Sequence, residues 1–503
     1  MNLIVTNPII MILKAILNYF RIRRNYIADA VDKIPPEIKD ALVAWYSPYC
    51  KQRMTNFDVI EAYTEDFTKW AYRNSRGTAK ITNNTIVITN VVETNNIVED
   101  DNEPYSDLTI RVTGATENKY LIVRQGRGKP ETHIKKDGVY TFKDNNLYFG
   151  FGVSVIGECN ITIAQLPTSI LKDFSGNGNH AYLYGGKGRL NSGVGIYAQD
   201  FTKWIFGSVI HNISTKAHNK LHIVKKNPNN YFGFTVGIQK ANYYNKPYKL
   251  KFNFNKEIND IKFSVVSTDG NLITTQCFSA IINNGSVVDV PIISEEIFNN
   301  QKEPNIYYDF GTNKDIEIDV ELIPDYPNQL CYDGKMYAVA YDMPILTDYT
   351  VMAERTWFEK QNRACFLSKI TTSGTGAFGF EFYNERNEYT TYSFGRVNNV
   401  EQFKDGITYQ ITNSYNGIVK LDYIVNGKDN AELYIGKLRS SERNAFIGCH
   451  DNILLFNRTL TDNELDLVKE HFFGIIRIKD ALLTVDGKPI ITTDNKYIKV
   501  NKK

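Results

Sequence analysis

Residues 171–186 read LKDFSGNGNHAYLYGG, and Asp173, Ser175, Gly176, Asn177, Gly178 and Asn179 fall within seven consecutive positions. Only a tight, shaped loop uses that density of turn formers. Gly and Asn tolerate positive φ, and the Asp and Ser side chains bond their own backbone. HAYLY at 180–184 then reads as a strand leaving the turn.

Two distant stretches belong with this one: ALVAWY at 41–46 and ILLFNRTLT at 453–461. Thr461 to Glu464, TDNE, is a capping box that starts a short helix over 465–472. The D-x-S-G-N-G-N-H-A run resembles the entry turn of LamG-like, concanavalin-type jelly rolls. The FNRTLT strand end followed by a helix resembles the way such domains close. The fold expected is therefore mainly β, a LamG-like jelly-roll sandwich, with everything between its pieces inserted.

The inserted material repeats. DFTKW at 66–70 recurs identically at 200–204, and ITIAQLP at 161–167 is matched by IDVELIP at 318–324. An identical opening and a matching closing strand predict two copies of one β-sandwich module, at 66–168 and 200–326. The jelly roll is then split over 41–65, 169–199 and 327–474, with a hairpin tail at 475–503. Alternating runs such as LTIRV at 108–112 and KLKFNF at 249–254 support the strands. Asp137-Gly138, Asp269-Gly270, Asn426-Gly427 and Asp486-Gly487 read as hairpin turns. YFGFG at 148–152 reads as a bulge in a strand rather than a phosphate cradle.

Residues 1–40 predict a helical arm. Ile9, Ile12, Leu13, Ile16, Leu17 and Phe20 share one helical face behind an Asn7-Pro8 start. The run is too short for a membrane span and carries Lys14. Its positive charges, Arg21, Arg23 and Arg24, follow it instead of leading it as in a signal peptide. It suits packing on the protein's own core, self-association, docking into a partner, or a membrane-surface anchor.

Composition narrows the function classes. A net charge of +2 from 58 basic and 56 acidic residues makes no case for nucleic acid. The 32 Tyr and 28 Phe fit β-strands, with an AT-rich genome as a further source of the bias. Six scattered cysteines lack a C-x-x-C spacing and read as buried free thiols of a protein matured in a reducing cytoplasm. Seven histidines form no zinc motif, and neither a P-loop nor a G-x-S-x-G elbow is present, so no cofactor and no metal are expected. Asp173, Asn177 and Asn179 could offer oxygens to Ca²⁺ but lack the EF-hand order, and a structural turn is preferred.

The one arrangement that suggests catalysis is EIDVE at 317–321. Alternation puts Glu317, Asp319 and Glu321 on one face, as retaining glycosidases require, and the run resembles the E-x-D-x-E core of concanavalin-like glucanases. It lies in a module rather than in the jelly roll, and the other copy has Asn160, Thr162 and Ala164 there, so a solvated sheet face is the simpler reading. Trp70 and Trp204 open the two modules. They are candidates for stacking on a pyranose face, and equally for anchoring each module's core, which carries more weight. Trp45 and Trp357 read as core.

The joint order of apolar arm, VAWYSP, DFTKW module, SGNGN turn, second DFTKW module and LLFNRTLTDNEL is similar to that of LamG-like virion proteins of crAss-like and related Bacteroidetes phages. That resemblance implies a non-enzymatic structural protein made in the bacterial host cytoplasm and displayed on the virion. It would be a head fibre, a decoration or a tail-associated fibre. Its partners would be capsid or tail proteins, its own copies as a dimer or trimer, and bacterial surface polysaccharide. A free carbohydrate-binding adhesin and a glycoside hydrolase stay as alternatives.

Overall fold

A computed structural model describes residues 34–48, 63–100, 107–126, 130–143, 149–185, 189–190, 199–204, 211–225, 234–256, 258–268, 274–299, 305–312 and 315–323. It also describes 325–326, 329–346, 349–358, 364–369, 380–385, 388–393, 396–402, 408–409, 418–421, 431–438 and 445–473. The expected arm, with Ile9, Ile12, Leu13, Ile16, Leu17 and Phe20, lies outside these residues, as does the tail at 475–503. The chain is mainly β, built from several antiparallel sheets. Its contacts divide it into two units: Met1–Gly186 with Gly334–Phe446 and His450–Lys503, and Lys187–Asp333 with Ile447–Cys449.

Within the first unit, residues 71–165 form two facing five-stranded sheets. One has the order Ala71–Tyr72, Asn96–Asp100, Phe149–Val153, Leu121–Gln125, Glu131–Ile134; the other Gly77–Ile81, Thr85–Val91, Gly157–Gln165, Leu108–Thr113, Gly138–Phe142. Alternation drives the packing. In Leu108–Thr113, Leu108, Ile110 and Val112 are buried while Thr109, Arg111 and Thr113 are not, as period-2 side chains of a half-buried strand require. The YFGFG stretch contributes a strand whose register shifts between Phe151 and Gly152. A Cβ on Gly152 would sit 2.8 Å from the Asn95 carbonyl oxygen, so the bulge needs glycine.

Asp137-Gly138 is not a hairpin. The strands on its two sides, Glu131–Ile134 and Gly138–Phe142, belong to different sheets. Asp137 Oδ1 instead accepts the Ala115 N–H at 2.9 Å at a corner of the sandwich. Asn426-Gly427 and Asp486-Gly487 lie outside the described residues. Ile418–Leu421 pairs with Tyr349–Trp357, whereas Leu433–Ile435 pairs with Tyr337–Ala340 and Cys365–Ser368. A turn residue reverses the chain in a corner as well as in a hairpin, so the two look alike in sequence. Around Asp269-Gly270 the flanking strands do pair, Thr268 opposite Thr274.

The rest of the first unit has Leu42–Tyr46 paired with the strand ending at Phe456, and Tyr349–Trp357 buried along its whole length. A second sheet runs Ile170–Leu171, Ala181–Tyr184, Tyr337–Ala340, Leu433–Ile435, Cys365–Ser368, Phe380–Glu385, Glu388–Ser393, Arg396–Gln402. Helix Asp462–Phe473 lays Leu465, Val468 and Phe472 on a core with Trp45, Phe174, Met352 and Leu454. Its start is the expected capping box. Glu464 accepts the Thr461 N–H at 2.8 Å, and Thr461 Oγ1 accepts the Glu464 N–H at 3.4 Å. The fork of Arg458 on Glu464 holds that carboxyl down at about 2.

The second unit contains another pair of sheets. Their orders are His211–Ala217, Lys220–Lys225, Ile316–Ile323, Tyr248–Phe254, Val287–Val290 and Phe234–Gln239, Asn305–Gly311, Ile261–Thr268, Thr274–Ile282. Taken in chain order, these strands follow the same path as those of 77–165; among the described residues the earlier sandwich has Ala71–Tyr72 in addition, at one edge.

Candidate functional site

The SGNGN turn is a built object. Asp173 is 3% exposed and its carboxylate is its centre. Oδ1 accepts the N–H groups of Trp45 and Ser175, each at 2.9 Å, while Oδ2 accepts the Asn179 N–H at 3.0 Å and the Ser175 hydroxyl at 2.8 Å. Gly176 and Gly178 take φ of 96° and 77°, which glycine adopts at no steric cost. The amides of Asn177 and Asn179 donate outward, to Leu42 O at 2.7 Å and Val43 O at 2.8 Å. Tyr46 donates to Asn179 O at 2.6 Å, and burial followed by the Asp173 charge raises its hydroxyl pKa well above the ordinary value. His180 Nδ1 accepts the Asp173 N–H at 3.1 Å, and burial lowers the ring's pKa. Every one of these bonds staples the turn to strand Leu42–Tyr46 or to itself.

Beside the turn an open cleft of about 680 Å³ is lined by Lys39, Asp40, Ser175, Asn177, Asn179 and Asn457, among others. Its walls offer amide, hydroxyl, ammonium and carboxylate groups to a small polar ligand. Asp173 does not add a metal ligand, because both oxygens are already occupied by donors. Among the described residues no group of three or more His, Cys, Asp or Glu is placed to hold a metal ion.

The two DFTKW copies have one local structure. Asp66 and Asp200 cap single 3₁₀ turns, Phe67–Lys69 and Phe201–Lys203, by accepting the N–H two residues on. Each turn delivers its Trp into the sandwich. Trp70 is 5% exposed and stacks on Phe151 at 5.4 Å and 15°; Trp204 is fully buried, 4.3 Å from the Tyr308 ring. Phe149 flanks the first indole, and Phe201 with Tyr243 flanks the second. Their surroundings are those of core anchors, with aromatic neighbours where a sugar would have to stack.

Glu317, Asp319 and Glu321 do share the outer face of Ile316–Ile323, opposite the buried Ile316, Ile318, Val320 and Leu322. The neighbouring strand meets them with Lys220 and His222. Lys220 lies 3.3 Å from Glu321, and His222 lies 2.8 Å from Asp319 and 3.5 Å from Glu317. With the three carboxylates' side chains 34–41% exposed, this is a solvated polar ladder across two strands.

Sequence reasoning missed the buried polar groups of the first unit. Glu354, Arg355, Lys369, His450 and Asp451 are all at most 3% exposed. Arg355 lies 5.5 Å from the Trp357 ring centre and 5.6 Å from that of Phe366, a cation stacked among aromatics. The visible signal was AERTW at 353–357, two charges within an otherwise apolar strand. Burial lowers the His450 pKa to about 4, with Nδ1 2.8 Å from Asp451 O. The unfolded ring titrates near 6.5. The stability contributed by keeping His450 neutral is therefore complete above pH 6.5 and is lost as pH falls toward 4, amounting to about 3 kcal/mol. His450→Gln removes that component: its urea midpoint is expected to fall less between pH 6.5 and 4 than that of the parent chain. Parallel pH profiles would show that His450 does not titrate this way.

No helix among the described residues is long and apolar enough to cross a membrane. No protein-family model and no curated protein matches the chain. Among solved structures, Trypanosoma rangeli sialidase with the inhibitor DANA is similar at 10% identity, TM-score 0.21, over 78% of this chain and 83% of that one. Procruciferin, the 11S globulin of Brassica napus, is similar at 6% identity, TM-score 0.15, over 55% and 87%. The secreted serine protease VesC of Vibrio cholerae is similar at 9% identity, TM-score 0.15, over 51% and 52%. Scores this low carry no argument about fold or activity.

Proposed function

We propose that this chain is a non-catalytic structural protein of a phage virion, displayed on the head or tail, with a LamG-like jelly roll as its body and two copies of one sandwich module as its appendages. The observation that carries the reading is the duplication: one pentamer, one 3₁₀ turn, one buried Trp and one strand path occur twice. Repeated, packed modules, with no reactive constellation among their described residues, suit display and assembly better than turnover. The SGNGN turn bonded to strand Leu42–Tyr46, and the capped helix after Phe456, support the jelly-roll reading of the body. Its partners are then other virion proteins and its own copies.

The test is location. Electron cryo-microscopy of purified particles is expected to show density on capsid or tail into which the chain can be traced. Its absence from particles would overturn the proposal. One observation favours a second role, contact with host surface glycans: the polar cleft beside the turn has the amide and carboxylate walls that hydroxyl-rich ligands need. A glycan array with no bound saccharide would remove that role and leave the structural one untouched.

A further inference from the structure

The sandwich at 66–165 has a core made from its own residues, from Phe67 to Ile163. One of its contacts with the rest of its unit is of a different chemistry. On the sheet Ala181–Tyr184, Tyr337–Ala340, Leu433–Ile435, the residues Leu183, Ala338 and Ile435 are fully buried. The opposite face carries half-buried tyrosines. Tyr184 stacks on Tyr337 at 5.3 Å and 16°, and its hydroxyl lies 2.9 Å from that of Tyr341. Tyr434 donates to Glu432 at 2.6 Å.

Arg111 reaches this face from the outward side of strand Leu108–Thr113. Its Nη2 lies 2.8 Å from Glu432 Oε1, and its guanidinium carbon lies 4.3 Å from the centre of the Tyr341 ring. One planar cation thus makes an ion pair and a ring stack at once, which an ammonium cannot reproduce. The two side chains are only 26% and 20% exposed, so the pair is less screened than a surface salt bridge.

We propose that Arg111 is a clasp: it seats the 66–165 sandwich on the tyrosine face, and without it the sandwich parts from that face while both remain folded. The inference is independent of any virion role. Loss of the clasp is expected to shift the seated-to-released ratio by about fivefold to thirtyfold, corresponding to about 1–2 kcal/mol.

Hydroxyl-radical footprinting of the full chain, read by mass spectrometry, tests this. In Arg111→Ala, labelling of Tyr341 and Tyr184 is expected to rise severalfold while Trp70 stays protected. Arg111→Lys should fall between. Arg124→Ala, which removes an exposed pair with Glu131 elsewhere on the same sandwich, should change neither tyrosine. Unchanged Tyr341 labelling in folded Arg111→Ala overturns the clasp. So does a rise at Trp70, which would make Arg111 a part of the sandwich's own fold. If Arg111→Ala does not fold, Glu432→Gln approaches the same pair from the other side, with the same expected rise and the same refuting result.

Discussion

Asp173→Ala is expected to destabilise the first unit by about 3–5 kcal/mol, seen as a lower urea midpoint at unchanged slope. Four donors converge on this carboxylate, and the Trp45 N–H among them is buried. Alanine leaves that N–H without its acceptor, and a buried unsatisfied donor costs about 1–3 kcal/mol by itself. The remainder comes from the turn. Ser175 and Asn179 are oriented by Asp173, and the Asn179 amide in turn holds Val43 O at 2.8 Å. Asp173→Asn should be intermediate, because one oxygen survives while the new amide nitrogen confronts the Asn179 N–H. Ser175→Ala should cost least, about 1 kcal/mol. An Asp173→Ala chain within about 1 kcal/mol of the parent would show that the turn decorates the fold without bracing it.

That turn also shows what the sequence reveals and where it stops. Its conformation is legible because the bonds that set it are short-range, Asp173 to Ser175 and Asn179. Its anchorage is not: the carbonyls of Leu42 and Val43 lie more than 130 positions upstream of Asn177, and no local pattern encodes them. The DFTKW repeat was legible because the pentamer is identical in both copies, whereas the 3₁₀ turn that each copy makes was not read from it. The misread hairpin at Asp137-Gly138 marks the limit from the other side. A turn specifies reversal, while the choice of sheet is made by the apolar faces that the strands must cover. The acidic face of EIDVE followed from alternation. Its cross-strand partners, Lys220 and His222, came from a strand about a hundred residues earlier, where spacing has nothing to say. Arg355 and His450 stayed hidden because burial of both faces removes the alternation that would have marked them.

Trp204→Ala is expected to cost the second unit about 3–5 kcal/mol, and Trp70→Ala to cost the first sandwich nearly as much. The reason is geometric. Each indole lies between the 3₁₀ turn that delivers it and the aromatic strand opposite, Phe151 in one copy and Tyr308 in the other. Truncation opens a cavity lined by rings that cannot close over it. Trp204→Phe keeps most of the contact and should cost less, about 1–2 kcal/mol. Hydrogen exchange reads the effect copy by copy: Trp204→Ala should weaken protection across the strands of 211–323 and leave those of 71–165 near their parent values. A binding role makes the opposite forecast. Stability would hold within about 1 kcal/mol, and any saccharide affinity would vanish. The burial of both indoles makes the first outcome the expected one, and it would return the search for a glycan contact to the open polar cleft beside the SGNGN turn.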